Sequence, residues 1–121
     1  NLQKMDKNAV CKIRDIYRAI SVFEDTFEAQ FSLSINEAML LCTLSEEGDM
    51  TSGDIARALG VLPSIASKLI RQVEDKHFVH RVMGQRDHRQ MNFSLSEEGV
   101  RKLEIIKCNE IEIPNVLKEA L

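Results

Sequence analysis

PSIASKLIRQVEDK, residues 63–76, is the stretch whose reading decides the fold. At 3.6 residues per turn, Ile65, Ala66, Leu69, Ile70 and Val73 fall on one side, while Ser64, Ser67, Lys68, Arg71 and Asp75 fall on the other. One face is suited to packing. The other places two hydroxyls and two cations near the start of a helix, groups that hydrogen-bond base edges and phosphates in a DNA groove. An ordinary solvated helix presents a polar face of the same kind, so the meaning of this one depends on what flanks it.

Upstream, Thr51 is placed to cap a helix with Asp54 three residues later, Ile55, Ala56 and Leu59 form its inner face, and Gly60 ends it. Only Val61 and Leu62 separate that glycine from Pro63, a residue favoured in the first turn of a helix because its missing donor would be unpaired there. Two helices joined by a tight turn describe a helix-turn-helix, whose second helix enters the major groove. Downstream, FVHRVMG (residues 78–84) and QMNFSL (residues 90–95) read as two antiparallel strands with a charged connection. A helix-turn-helix followed by such a hairpin is a winged helix. Arg86 and Arg89 at the hairpin tip suit a minor groove or phosphate backbone, and Asp87 is positioned to orient Arg89 through a carboxylate–guanidinium pair.

The ends of the chain read as helices. From about Asp6 to Phe31, apolar residues recur in steps of three and four through Ile13, Ile16, Tyr17, Ile20, Phe23 and Phe27. Such a helix, about 37 Å long at 1.5 Å per residue, exceeds the width of a small core, so part of it is expected to pack against a second subunit. Ser34 to Leu44 is a second helix, with Ser34 and Glu37 forming a capping box and Ala38, Leu41, Cys42 and Leu44 facing inward; Gly48 suits its end. Ser96 caps a final long helix reaching about Ile113, with Glu97 and Glu98 favoured in its first turn by the helix dipole. Pro114 opens a last short one. The expected fold class is therefore mainly α (α+β): a winged helix-turn-helix at 34–95 with a two-stranded wing, an N-terminal dimerisation helix at 1–33 and C-terminal dimerisation helices at 96–121, one compact domain overall.

Composition is consistent with this reading. The chain has 121 residues, 44% hydrophobic and 29% charged, which suits a folded domain and is too apolar for a disordered one. No apolar run approaches the roughly 20 residues of a membrane span, and no signal-peptide pattern opens the sequence, so a cytoplasmic location and no membrane partner are expected. Because the first residue is Asn1, an N-terminal piece is expected to be missing, and the short segment after Pro114 suggests the same of the C-terminus. The net charge of −3 conceals an asymmetry: Thr51 to Leu95 holds seven cations against four acids, +3, while the remainder holds nine against fifteen, −6. A basic middle between acidic ends is a signal for a nucleic-acid surface.

Asp87-His88-Arg89, five further residues, then Leu95-Ser96-Glu97-Glu98-Gly99 matches D-x-R-x5-L-S/T-x-x-G, the wing signature of the MarR family of transcriptional regulators, at every fixed position. DIARALGVLPSIASKLIRQVEDKHFV (residues 54–79) also resembles that family's helix-turn-helix, and the likeness covers nearly the whole chain. The resemblance implies a homodimer that binds a palindromic operator on double-stranded DNA, commonly as a repressor released by a small-molecule effector or an oxidant. It carries DNA contact onto Ser64, Ser67, Lys68 and Arg71 in the recognition helix and onto Asp87 and Arg89 in the wing. Effectors of the family tend to bind between the dimerisation helices and the winged helix, which places Tyr17, Phe23, Phe31 and Met39 near a candidate ligand pocket; an ordinary aromatic core is the favoured alternative. Two departures stand out. Leu62 occupies the place of a usual capping Ser or Asp, and His77 that of a glycine, so the helix is expected to start less firmly and to end differently.

No GxGxxG, P-loop, HExxH or nucleophile elbow is present, so neither catalysis nor a cofactor is expected. His77, His80 and His88 lack the spacing and the four ligands of a structural zinc site and read as surface histidines, with no metal expected. Cys11, Cys42 and Cys108 are odd in number and far apart, which argues for reduced thiols. Cys11 lies on the first helix, where a peroxide-sensing branch of the MarR family places its reactive thiol; a buried structural thiol is the alternative. A further alternative is a winged helix used for protein interaction or dimerisation. Cations on the outer helix face and wing tip favour DNA.

Overall fold

Four of the six described helices begin where a side chain satisfies one of the first free backbone N–H groups. A computed structural model describes residues 1–84, 87 and 89–121. Among these residues the chain forms α1 (Lys7–Phe31), α2 (Ile35–Glu47), α3 (Ser52–Leu59), α4 (Pro63–Asp75), β1 (Val79–Met83), β2 (Met91–Leu95), α5 (Glu97–Cys108) and α6 (Asn115–Lys118). Asp6 caps α1, and Ser96 caps α5. Ser34 with Glu37 and Thr51 with Asp54 form complete capping boxes at the starts of α2 and α3. The described residues divide into two compact units, residues 1–33 with 111–121, and residues 34–110.

In the first unit α6 packs along α1. The rings of Phe23, Phe27 and Phe31 follow one another at centroid distances of 5.9 and 4.8 Å, and Phe27 and Phe31 are buried. Val10, Ile13, Ile16, Tyr17 and Ile20, on the earlier part of the same helix, are exposed on the single chain.

The second unit is the winged helix. Its core is built from Leu40, Leu41, Ile55, Ala66 and Val73, none with measurable exposure, and α2 packs against α3, α4, α5 and β2. β1 and β2 are antiparallel, with Val79 opposite Leu95 and Met83 opposite Met91. Met50, in the turn between α2 and α3, exchanges two backbone hydrogen bonds with Phe93 at 3.1 and 2.7 Å, adding one residue of pairing to the far edge of β2. A single bridged residue has no periodicity and is invisible in the sequence.

The end of α4 adopts the geometry that only glycine was expected to reach. His77 has φ +67°, its N–H donates to the Glu74 carbonyl, and the Phe78 N–H donates to the Val73 carbonyl at 3.0 Å. This is a Schellman cap in which a histidine accepts the left-handed conformation. The Ser96 hydroxyl holds it in place by donating to the His77 carbonyl at 2.6 Å while accepting from the Gly99 N–H.

Three expectations are corrected. Ile65 is exposed, because the buried stripe of α4 runs through Ala66, Leu69, Ile70 and Val73 and leaves Ile65 on its flank. Cys42 is exposed for the same reason, the stripe of α2 running through Ala38, Leu41 and Leu44. The last long helix ends at Cys108 rather than near Ile113. There Asn109 turns to an extended backbone and its side-chain amide donates to the Ile105 carbonyl at 2.6 Å, while Glu110 and Glu112 would add negative charge to the negative end of the helix dipole.

Candidate nucleic-acid interface

α4 carries the candidate surface. Pro63 occupies its first turn and Leu62 its N-cap position, where no side chain accepts a hydrogen bond. Ser64, Ser67, Lys68 and Arg71 are all exposed on the side away from the buried stripe. Lys68 and Arg71 make no ion pair with any described residue, which distinguishes them from the paired cations around them. Arg57 is bound to Asp54 on α3, and Arg81 on β1 makes a forked pair with Glu74 at 3.0 and 3.3 Å. Among the described cations of α3, α4 and β1, those without an ion pair lie on the outer face.

Behind that face lies a cleft of about 210 Å3, lined by Ser52 at the start of α3, Ser67, Arg71 and Glu74 on α4, and Arg81 and Phe93 on the strands. The Arg81 guanidinium sits 5.6 Å from the centre of the Phe93 ring. Its pair with Glu74 links the end of α4 to β1. Sequence reading counted Arg81 in the local charge but gave it no role. A Glu–Arg spacing of seven across a helix end and a strand has no local signature.

A second tie anchors α4 to α2. The Lys76 ammonium, in the last turn, lies 3.0 and 2.9 Å from the two carboxylate oxygens of Glu37. Glu37 is only 4% exposed, the one buried charged side chain among the described residues, and it also accepts from the Ser34 N–H at 2.9 Å. Burial pushes its pKa up, but the Ser34 N–H and the Lys76 ammonium outweigh that and hold it below the ordinary value. Sequence reading saw the capping box and missed the partner 39 residues away.

At the wing tip, Asp87 Oδ1 accepts from the Arg89 backbone N–H at 2.9 Å and from its Nε at 3.3 Å, the contact expected from their spacing. The Arg89 side chain is 93% exposed and projects into solvent. Arg86, the other tip cation, and His88 lie outside the described residues. The hairpin closes through Gly84, whose N–H donates to the Gln90 carbonyl at 2.8 Å; a Cβ there would stand 2.7 Å from the Asp87 carbonyl oxygen.

Of the other candidate residues, Tyr17 on α1 is exposed, Phe23 half-buried and Phe31 buried, while Met39 on α2 is exposed. Cys11 is half-buried and Cys42 and Cys108 are exposed, all as free thiols. Burial and then the Glu46 carboxylate push the Cys42 thiol's pKa up, away from a reactive thiolate. A cleft of about 510 Å3 at the α2–α3 junction is lined by Glu46, Glu47, Asp49 and Asp54 together with Arg57, an acidic balance unlike that of the α4 face. No helix among the described residues is long and apolar enough to cross a membrane.

A capped α3, a three-residue turn, an amphipathic α4 and a two-stranded hairpin define a winged helix-turn-helix protein. Residues 33–91 match the model of the MarR family. Among solved structures it is similar to Staphylococcus aureus MepR in a MepR–DNA complex, at 24% identity over 89% of this chain and 83% of that one, with a TM-score of 0.62. It is also similar to AbsC, a MarR family transcriptional regulator from Streptomyces coelicolor, at 22% identity over 88% and 75% with a TM-score of 0.70. A third likeness is to BpsR of Bordetella bronchiseptica, whose DNA binding is regulated by 6-hydroxynicotinic acid, at 17% identity over 84% and 76% with a TM-score of 0.69. No curated protein matches the chain.

Proposed function

We propose that this chain is a sequence-specific regulator of transcription, a repressor that binds a palindromic operator on double-stranded DNA as a homodimer and is released by a small ligand. The observation that carries the reading is the row of Ser64, Ser67, Lys68 and Arg71, exposed on the second helix of a helix-turn-helix, its two cations without an ion pair among the described residues. Arg86, Asp87 and Arg89 form the wing contact, with Arg89 at a backbone or minor groove. Residues 34–95 bind DNA, while residues 1–33 and 96–121 join two copies. The exposed Ile13, Ile16, Tyr17 and Ile20 on α1 support that pairing, since they form an apolar stripe that the described residues of one chain leave partly open to water. The DNA bound by MepR and the ligand control of BpsR support operator binding and release. A protein with this task works in the cytoplasm, where bacterial DNA lies.

Selection of duplexes from a random pool, followed by fluorescence anisotropy against salt, tests the reading. If each subunit neutralises about four phosphates, log affinity falls against log salt with a slope of about −7 for the dimer. Lys68→Ala in both subunits makes that slope shallower by about 2. A salt-independent or undetectable interaction overturns the proposal and favours a winged helix that binds protein.

A further inference from the structure

Leu62 and Ile65 are large apolar side chains that the fold leaves in water at the start of α4. Leu62 stands at the N-cap, where a Ser or Asp would accept a hydrogen bond and stabilise the helix. It does not cap, and at 66% exposure it does not pack either. Ile65, one turn on, is 44% exposed, its helix burying Ala66 and Leu69 instead. Isolated apolar residues on a surface are ordinary. Two within four residues, flanking Ser64 and adjoining Lys68 in the first turn, are a small apolar element set into a polar strip. Folding provides no reason for Leu62.

We propose that Leu62 and Ile65 contact thymine 5-methyl groups in the major groove and make this protein select thymine at the operator positions beneath the start of α4. The inference rests on the DNA-binding reading above. Recognition helices touch base edges with their N-terminal residues, where these two side chains lie. In the major groove the thymine methyl is the one apolar feature of a base edge, and apolar contact distinguishes it. The neighbouring hydroxyls cannot make that distinction, because serine bonds to donors and acceptors alike. Ser64 and Ser67 orient, Lys68 and Arg71 attract, and the two apolar groups discriminate.

The test uses the full chain and its selected duplex, with each half-site thymine replaced in turn by deoxyuridine, which lacks only the methyl group. Anisotropy at fixed salt is expected to show an affinity loss of about four-fold at each contacted thymine, the worth of one buried methyl group. Ile65→Ala is expected to lose the sensitivity at its thymine while melting at the wild-type temperature, as its side chain is exposed. Leu62→Ser is expected to raise the melting temperature by supplying the missing cap while becoming indifferent to deoxyuridine at its own thymine. A purely structural role for Leu62 cannot produce that opposition. If deoxyuridine duplexes bind as tightly as the parent with a steep salt slope, this inference falls and the DNA-binding reading stands. It falls equally if both variants retain the wild-type deoxyuridine loss. If no duplex is retained at all, both fall.

Discussion

Glu37 shows how one carboxylate serves two elements. It closes the capping box of α2 through the Ser34 N–H and holds the Lys76 ammonium at the end of α4. Lys76 is partly exposed and can be solvated once its partner is gone, which limits the cost of breaking the pair. Glu37→Gln, keeping the cap but not the charge, is expected to destabilise by about 1–2 kcal/mol at pH 7. Because the folded-state pKa of Glu37 is lowered, the charged form's contribution is fully present above the ordinary glutamate value of about 4.3 and is lost as pH falls through the lower folded value. Urea denaturation of both proteins should therefore give curves that differ at pH 7 and converge below pH 4; a gap that persists in acid removes the charge from the explanation. The capping half of this arrangement was legible in Ser34 and Glu37, three residues apart. The lysine was not, since a pair 39 residues apart exists only once α2 and α4 are packed.

The docking of α5 onto the winged helix is decided at Gly99. A Cβ there would meet the Phe78 carbonyl oxygen at 2.2 Å and Leu95 Cδ2 at 3.0 Å. The first turn of α5 therefore lies directly on the backbone that follows α4, where Ser96 also grips the His77 carbonyl and accepts the Gly99 N–H. Backbone cannot retreat as a flexible side chain can, so Gly99→Ala is expected to destabilise by about 3 kcal/mol or more. Denaturation with urea checks this, and a loss under 1 kcal/mol would mean that α5 shifts freely. These contacts give a physical meaning to the Leu95-Ser96-x-x-Gly99 end of the wing signature. Its residues join the hairpin to the next helix. At this same end of α4, the sequence correctly marked His77 as an unusual terminator and misjudged the outcome. The left-handed conformation is tolerated because the Ser96 hydroxyl and the Schellman hydrogen bonds over-determine it.

For the whole molecule the open quantity is the assembly. Ile13, Ile16 and Ile20 are exposed on a helix whose later residues, Phe27 and Phe31, are buried. Light scattering at micromolar concentration is expected to give a dimer for the wild type and a monomer for Ile16→Asp, since a charge placed in an apolar interface must be desolvated without a partner. The monomer should also bind the selected operator far more weakly, because two recognition helices one DNA turn apart, about 34 Å, bind cooperatively only when joined. A wild-type monomer would remove the homodimer from the proposal while leaving the winged helix intact.

What the sequence determined by itself is local. The caps at Ser34, Thr51 and Ser96, the tight turn before Pro63, the two strands and the wing signature follow from short-range hydrogen bonding and periodicity, which neighbours along the chain specify. Tertiary structure decided what local rules leave degenerate. Ile65 fits either side of an apolar stripe by periodicity, and only the packing of α4 against α2 and α3 puts it outside. The α5 helix has apolar residues enough to reach Ile113, yet it stops at Cys108 where Asn109 takes over a carbonyl and acidic residues oppose the dipole. The pairs Glu37–Lys76 and Glu74–Arg81 and the Met50–Phe93 bridge join residues that no local pattern couples. Burial is a property of the assembled unit, and so is the surface that remains to meet DNA.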